Sequence, residues 1–342
     1  MTWLLYGATG YTGRMVARRA VALGMRPVLA GRSAAKVVPL AAELGLEHRV
    51  FGLDEPGAVR RGLAGADSVA HCAGPFVRTA LPMATACVET GTDYLDITGE
   101  IEVFESLHAL GARAAKAGVT LLPGAGFDVV PTDCVAALLA ARLPDATQLD
   151  LAFVTRGGAS PGTVRTAVES AADGGRIRSG GEIRTVPFGS RQVRAAFPSG
   201  ARTVVSVPWG DVSTAYHSTG IPDITTYTAV PAPALAATRV LRLGPLRGAV
   251  GGALGRLVRG PGERALNGSG CEVWGRARDA AGNSVSATLT GPNPYRMTVD
   301  SVLRIVGQLP DLPAGFQTPS RALGADFAST LDGVVVAVAA LR

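Results

Sequence analysis

The sequence contains few cysteines, and their spacing does not suggest that they form a cluster. No C-x-x-C motif occurs, and the four cysteines lie mostly in apolar segments: Cys72, Cys87, Cys134 and Cys271. This arrangement is typical of reduced residues packed in a core, whereas a disulfide framework or a zinc site would need a recognisable spacing. We therefore expect no structural metal.

Long apolar runs are also missing. No uncharged stretch approaches the roughly 18 to 20 residues that a membrane-spanning helix needs. The chain begins at Met1 and enters an apolar run at Trp3, without a basic leader. These absences predict a soluble, cytoplasmic protein.

Positive charge is present, but it is not clustered. The formal net charge is +6, yet no group of basic residues is interleaved with aromatic ones, so nucleic-acid binding is not expected. Lys36 and Lys116 are the only lysines, and all other basic residues in the count are arginines. Together with abundant alanine and glycine, this indicates a GC-rich coding bias, so the net charge says little about the protein's partners.

The length predicts two domains, because 342 residues exceed the size at which a single core usually keeps growing. In the first part, short apolar runs alternate with helical patterns, which favours a doubly wound parallel sheet of the Rossmann type. The predicted strands are 3–6, 27–30, 49–53, 68–72, 93–97 and 119–122. The predicted helices are 13–23, 34–44, 56–64, 79–90 and 101–117.

The pattern changes after a helix that runs from Pro131 to Pro144. Alternating strands at 149–154, 201–207 and 224–230, and a hairpin of 272–278 with 284–289, predict an α+β lobe with a mostly antiparallel sheet. We place the Rossmann domain at 1–145 and the second domain at 146–315, with a C-terminal helix at about 316–342 that packs back on the first. Leu235 to Val258 form an amphipathic stretch: either a solvent-facing helix pair or a segment that touches an acyl group or a membrane surface.

A glycine-rich turn follows the first strand directly and leads into the first helix. Glycines allow positive φ and close approach of the backbone to phosphates, and the first N–H groups of a helix attract negative charge. The turn therefore predicts a dinucleotide site rather than a plain tight turn. Its members are Gly7, Ala8, Thr9, Gly10, Tyr11, Thr12 and Gly13.

The end of the second strand predicts which dinucleotide binds. Sites selective for NAD carry an acidic residue there for the ribose 2′-OH, whereas an arginine accommodates a 2′-phosphate. Here the residues are Arg32 and Ser33, and Arg14 lies just beyond the glycines. We therefore predict NADP(H) as the cofactor. Ala73, Gly74 and Pro75 follow the fourth strand and are expected to pass beneath the nicotinamide ribose.

Two further segments end predicted strands with carboxylates, hydroxyls and glycines. Because ligands of doubly wound sheets bind at the carboxyl ends of the strands, these residues are candidates for substrate contact. The alternative is helix capping, which remains open for Thr98, Glu100 and Asp128. The candidates are Asp96, Thr98, Gly99, Glu100, Phe127 and Asp128.

The catalytic proton donor is not identified by any motif. Tyr94, Tyr216 and His217 are candidates, although a histidine beside a tyrosine, as at 216 and 217, is more often structural. A short-chain dehydrogenase is excluded because it needs a tyrosine four residues before a lysine, and Arg32 and Ala112 occupy the corresponding positions. A flavin site is disfavoured by the G-x-x-G-x-x-G spacing.

Taken in order, several motifs resemble the saccharopine dehydrogenase-like oxidoreductases, and especially their bacterial branch with the trans-acting enoyl reductases of mycobacterial lipid synthesis. The matching segments are GATGYTGR at 7–14, AGR at 30–32, AGPF at 73–76, DYLDITGE at 93–100, GFDVVPTD at 126–133, GGASPGT at 157–163 with Ser170, and QTPSRALG at 317–324. The last of these is similar to the C-terminal helix of that family.

The resemblance implies an NADP-binding Rossmann lobe, a discontinuous second lobe, and hydride transfer to a C=C or C=N bond of a small or acyl substrate. The opposing interpretation is a sensor that binds NADP without turnover and passes its occupancy to a partner. The expected partners are a small or acyl substrate and no nucleic acid, with weak membrane-surface contact and homodimer formation as further hypotheses.

Overall fold

The computed structural model describes residues 1–156, 174–230 and 262–340. These residues divide into two compact units, the first comprising Met1–Asp128 and Met297–Leu323 and the second Val129–Arg296 and Gly324–Arg342. The family-like segment at 157–163, Ser170 and the amphipathic stretch at 235–258 lie outside the described residues.

The first unit is built on a parallel sheet of seven strands with the order β15-β6-β5-β4-β1-β2-β3. Each of its ladders is parallel. The strands are β1 Trp3–Tyr6, β2 Val28–Gly31, β3 His48–Val50, β4 Ser68–His71, β5 Asp93–Asp96, β6 Thr120–Leu122 and β15 Gly315–Phe316. The helices that connect them are α1 Tyr11–Ala22, α2 Ala34–Leu44, α3 Pro56–Leu63, α4 Phe76–Thr90 and α5 Ile101–Ala117.

The central strands are buried on both faces. Every residue of β1, β2 and β4 is buried, as expected for a parallel sheet that is covered by helices on both sides. Leu4 and Val69 belong to one continuous apolar core together with Leu107 and Leu121. The predicted doubly wound α/β fold is confirmed, and the carboxyl ends of its strands form one edge.

Two details of the first unit differ from the expectation. Helix α4 begins at Phe76 rather than at 79, and β15 adds a seventh strand. Strand β15 has only two residues, and it pairs with Thr120 and Leu121. So short a strand, so far along the chain from its partner, leaves no periodic signal in the sequence.

The second unit contains a nine-stranded sheet whose main path is β10-β11-β12-β7-β13-β14-β16. All its ladders are antiparallel except the one between β12 and β7. The strands are β7 Ala146–Thr155, β8 Gly175–Ser179, β9 Glu182–Val186, β10 Gln192–Phe197, β11 Gly200–Ser206, β12 Asp223–Thr228, β13 Gly270–Asp279, β14 Ser284–Pro292 and β16 Val335–Val338. The expected α+β lobe with a mostly antiparallel sheet is thus confirmed.

The helices from residue 130 onward are α6 Val130–Arg142, α7 Asp211–Thr219, α8 Glu263–Gly268, α9 Pro294–Gln308 and α10 Pro319–Leu323. The first three belong to the second unit, and α10 belongs to the first. Helix α9 passes from the second unit into the first. The predicted hairpin is present as β13 and β14, and Gly282 has a φ of +93° in its turn. In the parts of the chain that the structure covers, no helix has the length and apolar character needed to cross a membrane.

The C-terminal helix expected at 316–342 is wrong as a single element. Within the described residues, helical structure is limited there to α10 and a 3-10 turn at Phe327–Thr330. Gly324 and Gly333 adopt positive φ values of 90° and 73°, which interrupt a helix. The β-branched residues that follow form β16, which pairs with β14.

Helix α6 packs on the second sheet through a glycine. A Cβ added to Gly275 in β13 would lie 2.6 Å from Val135 Cγ1 and 2.8 Å from Leu139 Cδ1. The close packing of this helix on this strand therefore depends on the missing side chain.

Replacing Gly275 by alanine should lower the free energy of unfolding by about 1 to 3 kcal/mol, because the added methyl group overpacks the helix–sheet contact. Gly307→Ala in α9 is the matched control, since nothing lies within 4 Å of its added Cβ. The control should be neutral or slightly stabilising. Urea unfolding of both variants measures the difference, and equal stability of the two would contradict the packing argument.

Candidate cofactor and substrate site

The glycine turn after β1 touches the turn after β4. Gly7 has a φ of +79°, and a Cβ added to it would lie 2.8 Å from both the Ala73 nitrogen and the Ala73 Cβ. A Cβ on Gly13 would lie 2.3 Å from the Gly7 carbonyl oxygen. Both positions therefore require glycine, Gly7 for its backbone conformation and both for close approach.

The start of α1 is free of groups that would compete with a bound anion. Gly10 is the N-cap residue and supplies no side-chain hydrogen bond, and the first turn contains no acidic residue. The guanidinium of Arg14 donates to the Thr9 carbonyl oxygen (3.1 Å) and so fastens the turn. Ala8 is buried beneath the turn, and Tyr11 and Thr12 open the helix. This arrangement fits a diphosphate at a helix N-terminus.

The end of β2 fits the additional phosphate of NADP. Arg32 is exposed, and among the residues that the structure describes it forms no ion pair with a carboxylate. Ser33 is the N-cap residue of α2, but its hydroxyl makes no capping hydrogen bond. Burial raises the pKa of Tyr6 to about 12, and the charge of Arg32 opposes that shift, so Arg32 lies within electrostatic reach of β1. A cation and a hydroxyl donor thus stand where a 2′-phosphate would bind.

The turn after β4 is shaped by Ala73, Gly74 and Pro75, and the Gly74–Pro75 peptide bond is cis. The Thr79 hydroxyl donates to the carbonyl oxygens of Ala73 (2.7 Å) and Pro75 (3.2 Å). His71, at the end of the strand, is fully buried, and burial lowers its pKa to about 3. It is therefore neutral in the core, as expected from the sequence.

Asp96 joins the ends of β5 and β6. Its carboxylate accepts hydrogen bonds from the Thr98 amide (2.9 Å), the Gly124 amide (3.0 Å) and the Tyr94 hydroxyl (2.6 Å). Burial raises the pKa of Asp96 to about 6, and these three hydrogen bonds oppose the shift. Tyr94 is fully buried, and burial together with the charge of Asp96 raises its pKa. The phenol thus organises the loop from within the core.

Thr98 and Glu100 make capping hydrogen bonds. The Thr98 hydroxyl accepts from the Glu100 amide (3.1 Å), just before α5 begins. The Glu100 carboxylate instead accepts from the first amides of α4, those of Phe76 (3.2 Å) and Val77 (2.6 Å). It therefore caps a neighbouring helix, which explains why α4 begins at Phe76.

Asp128 lies beside this capping carboxylate. A Cβ added to Gly99 would lie 3.1 Å from the Asp128 Cβ and 3.2 Å from its Oδ2, so the absent side chain at Gly99 makes room for Asp128. The N-cap residue of α6 is Val129, which has no side-chain hydrogen bond to the helix, and Asp128 precedes it directly. Burial raises the pKa of Asp128 to about 7, and the negative charge of Glu100 raises it further. The carboxyl group of Asp128 therefore gains and loses a proton near neutral pH.

The remaining candidates occupy different surroundings. Phe127 is buried, and its amide donates to the Thr298 hydroxyl oxygen (2.9 Å). Tyr216 and His217 lie in α7 of the second unit, where the Arg178 guanidinium carbon stands 4.0 Å from the centroid of the Tyr216 ring. The His217 ring is 5.8 Å from the same tyrosine. Whether Tyr94, Tyr216 or His217 donates a proton to a substrate remains a prediction.

Residues 3–122 match the family model of the saccharopine dehydrogenase NADP binding domain. The resemblance to saccharopine dehydrogenases is confirmed. The match also confirms the predicted NADP(H) cofactor, and it covers the strands and turns that carry the glycine turn, Arg32 and the loops around Asp96.

Curated and solved relatives agree with this family. The trans-acting enoyl reductase of Mycobacterium leprae (strain TN) is 35% identical over 139 residues, which cover 38% of this chain and 33% of that protein. The chain spans less than half the length of the curated relatives that it matches.

Two solved structures share the fold over 99% of this chain. Saccharopine dehydrogenase (L-Glu forming) from Saccharomyces cerevisiae has a TM-score of 0.64 at 14% identity, with all of that chain covered. The homospermidine synthase of Legionella pneumophila, solved with NAD, has a TM-score of 0.68 at 12% identity, with 91% of that chain covered. At these identities the likeness concerns the fold, and together with the family match it supports an oxidoreductase.

Sequence reasoning missed a second group of polar residues. Asp150, Tyr227, Arg276 and Arg278 are joined by hydrogen bonds in the second unit. These partners are 77 to 128 residues apart from Asp150 along the chain. Only the alternation of polar and apolar residues within each strand could have hinted at their common face.

Replacing Glu100 by alanine should lower the free energy of unfolding by about 1 kcal/mol, because the first amides of α4 lose their acceptor. Glu43→Ala is the control, since Glu43 is exposed and, among the residues that the structure describes, forms its ion pair with the exposed Arg18, a type of pair that contributes little. Urea unfolding at neutral pH measures both. A control as destabilised as Glu100→Ala would contradict the capping role.

Proposed function

We propose that this chain is an NADP(H)-dependent oxidoreductase that reduces a C=C or C=N bond of a small or acyl substrate. The observation that carries the proposal is the close-packed glycine turn at the start of α1, with the exposed Arg32 at the end of β2. The candidate proton donor is Asp128, whose pKa burial raises to about 7. It belongs to the same unit as the glycine turn, and both follow strands of one parallel sheet.

A series of contacts along the strand ends supports this combination. Gly7 meets the Ala73 backbone, the first amides of α4 bind the Glu100 carboxylate, and Gly99 meets Asp128. The turns after β1, β4, β5 and β6 are thereby linked in sequence from the phosphate site to the titrating carboxyl group. Such preorganised positioning is the main contribution that a protein makes to hydride transfer.

Different residues of the chain bind the cofactor and supply the proton. The glycine turn and the start of α1 hold the diphosphate, while Arg32 and Ser33 hold the 2′-phosphate. Bound NADPH supplies the hydride. Asp128 holds a proton at its carboxylate near neutral pH and delivers it to the carbon or nitrogen that has become negative. Glu100 is a positioning residue, because it caps α4 and keeps the pKa of Asp128 high.

The finer assignments are also proposals. The name of the mycobacterial relative favours an enoyl substrate, that is, a C=C bond conjugated to an acyl group. We further propose a cytoplasmic location and a homodimer.

Cofactor selectivity should depend on Arg32. Wild-type protein should bind NADPH more tightly than NADH, and Arg32→Ala should weaken NADPH binding about 10- to 100-fold while leaving NADH binding nearly unchanged. Nicotinamide fluorescence titration measures both affinities. Arg184→Ala is the control, because Arg184 is an exposed residue of the second unit that pairs with Glu182. If NADH binds more tightly than NADPH, or if the control loses as much NADPH affinity as Arg32→Ala, the proposed 2′-phosphate site at Arg32 would be contradicted.

Turnover should depend on Asp128. Stopped-flow oxidation of bound NADPH, tested with enoyl thioesters, imines and ketones, should identify a substrate whose reduction is slowed about 100-fold or more by Asp128→Asn. The wild-type rate should be constant below pH 7 and fall above it, as Asp128 loses its proton, and the variant should lose this dependence. Asp145→Asn, an exposed change in the second unit, is the control. A variant that keeps the wild-type rate and pH profile would exclude Asp128 as donor.

The same replacement has a measurable effect on stability. Because the pKa of folded Asp128 lies above the ordinary aspartate value of 3.8, the folded state holds more protons than the unfolded state between about pH 4 and 7. Its contribution to stability is therefore present at low pH and is lost as the pH rises through 7. Asp128→Asn should flatten this decline of stability with pH.

If the protein binds NADPH tightly but none of the tested substrates oxidises it, the result would favour the alternative function, a sensor that binds NADP without turnover.

A further inference from the structure

One face of the second sheet carries two rows of polar side chains on three neighbouring strands. Thr225 of β12 is in register with Asp150 of β7, and Asp150 is in register with Arg276 of β13. The adjacent row on the same face contains Asp223, Gln148 and Arg278. Because alternate residues of a strand point to the same side, these rows form a continuous polar surface.

The hairpin of β10 and β11 curls over this face. In the order of the sheet, β10 and β13 are separated by three strands. Nevertheless Ser199, at the tip of the hairpin, donates from its amide (3.1 Å) and its hydroxyl (2.8 Å) to Glu272 of β13. The enclosed space is apolar near Phe197 and Trp274, which belong to one buried cluster.

A polar cavity of about 450 Å³ lies at the other end of the hairpin, next to the two rows. Its lining includes Asp150, Arg278, Thr225 and Tyr227, which lie in the sheet, and Arg191, which directly precedes β10. All the lining residues belong to the second unit. The cavity is therefore a feature of that unit alone and does not depend on the cofactor turn.

The carboxylate inside the cavity is already satisfied. Asp150 accepts hydrogen bonds from the Tyr227 hydroxyl (3.0 Å), Arg276 (2.9 Å) and Arg278 (3.4 Å). Its side chain is only 10% exposed. Burial and the nearby charge of Asp150 raise the pKa of Tyr227, so its hydroxyl remains a donor at neutral pH.

Arg191 is the exception among the three arginines. Its Nη1 donates to the Thr225 hydroxyl oxygen (3.0 Å), which fixes the guanidinium at the rim. Within the described parts of the chain, it forms no ion pair with a carboxylate. Arg276 and Arg278 both donate to the Asp150 carboxylate, and the Asp223 carboxylate accepts from the Gly180 amide (2.9 Å). Of the two arginines that line the cavity, Arg191 is thus the one whose guanidinium has no carboxylate partner among the described residues.

We propose that this cavity binds a carboxylate ligand with a single negative charge and a polar body, and that Arg191 contacts the carboxylate. A guanidinium presents two parallel N–H groups that match the two oxygens of a carboxylate. The amide groups of Gln148 and Gln192, which also line the cavity, would pair with amide or hydroxyl groups of the ligand. The guanidinium of Arg191 carries one positive charge, which a carboxylate balances, whereas the charge of a phosphate dianion would exceed it.

The proposal is tested with a pair of probes that differ only in the charged group. N-acetylglycine carries a carboxylate and an amide, and N-acetylglycinamide replaces the carboxylate with a neutral amide. Ligand-observed NMR titration of the full chain, at constant ionic strength, should show binding of N-acetylglycine and at least tenfold weaker binding of N-acetylglycinamide. Inorganic phosphate should also bind more weakly than N-acetylglycine.

Variants locate the site. Arg191→Gln should weaken N-acetylglycine binding about tenfold or more, since it removes a charge-assisted contact. The fold should be preserved, because Arg191 is exposed and holds one side-chain hydrogen bond. Arg184→Gln, an exposed arginine of β9 outside the cavity, should bind as the wild type does. Arg191→Lys keeps the positive charge but loses the two parallel N–H groups of the guanidinium. Its affinity for N-acetylglycine should fall between those of the wild type and Arg191→Gln.

The outcomes separate the proposal from the proposed function, because no part of the assay uses a nicotinamide cofactor. Equal binding of the two probes, tighter binding of phosphate, or equal affinity of Arg191→Gln and Arg184→Gln would each overturn the carboxylate site. If Arg191→Gln does not fold, the folded variant Arg191→Lys provides the test. An affinity of Arg191→Lys for N-acetylglycine equal to that of the wild type would contradict a bidentate contact.

Discussion

The close approach of the turns after β1 and β4 is the constraint on which the rest of the candidate site depends. Gly7 and Ala73 leave no space for a Cβ between them, and Gly13 leaves none against Gly7. Larger side chains would push the two turns apart and move the start of α1. The amides that can bind a diphosphate are thus positioned by the absence of a Cβ at Gly7 and Gly13, rather than by any charged side chain.

Electrostatics at the same edge follow from a capping interaction. Glu100 is held by the first amides of α4, so its negative charge is fixed close to Asp128. That charge adds to the effect of burial and brings the pKa of Asp128 to about 7. The carboxylate of Glu100 therefore has two effects: it stabilises the first turn of α4, and it raises the pKa of the proposed proton donor Asp128. Structure and chemistry are coupled through Glu100, which itself need not touch a substrate.

The sequence predicts the features that arise from neighbouring residues. The glycine turn, the arginine after β2 and the buried strands of the first sheet are visible because each is a short, continuous signal. The capping of α4 by Glu100 is not visible, since the partners are more than twenty residues apart and the bond is formed by tertiary packing. For the same reason the hydrogen-bonded group around Asp150 was not predicted. Strand β16 formed where a helix was expected, because its β-branched residues favour a strand and pair with β14.

The most direct measurement of the central claim is a crystal structure of the chain grown with NADPH. The account predicts electron density for the diphosphate against the Gly7–Gly13 turn and the start of α1, with the 2′-phosphate on Arg32 and Ser33. Density for the cofactor elsewhere, or a turn filled by the protein's own side chains in the presence of excess NADPH, would contradict it.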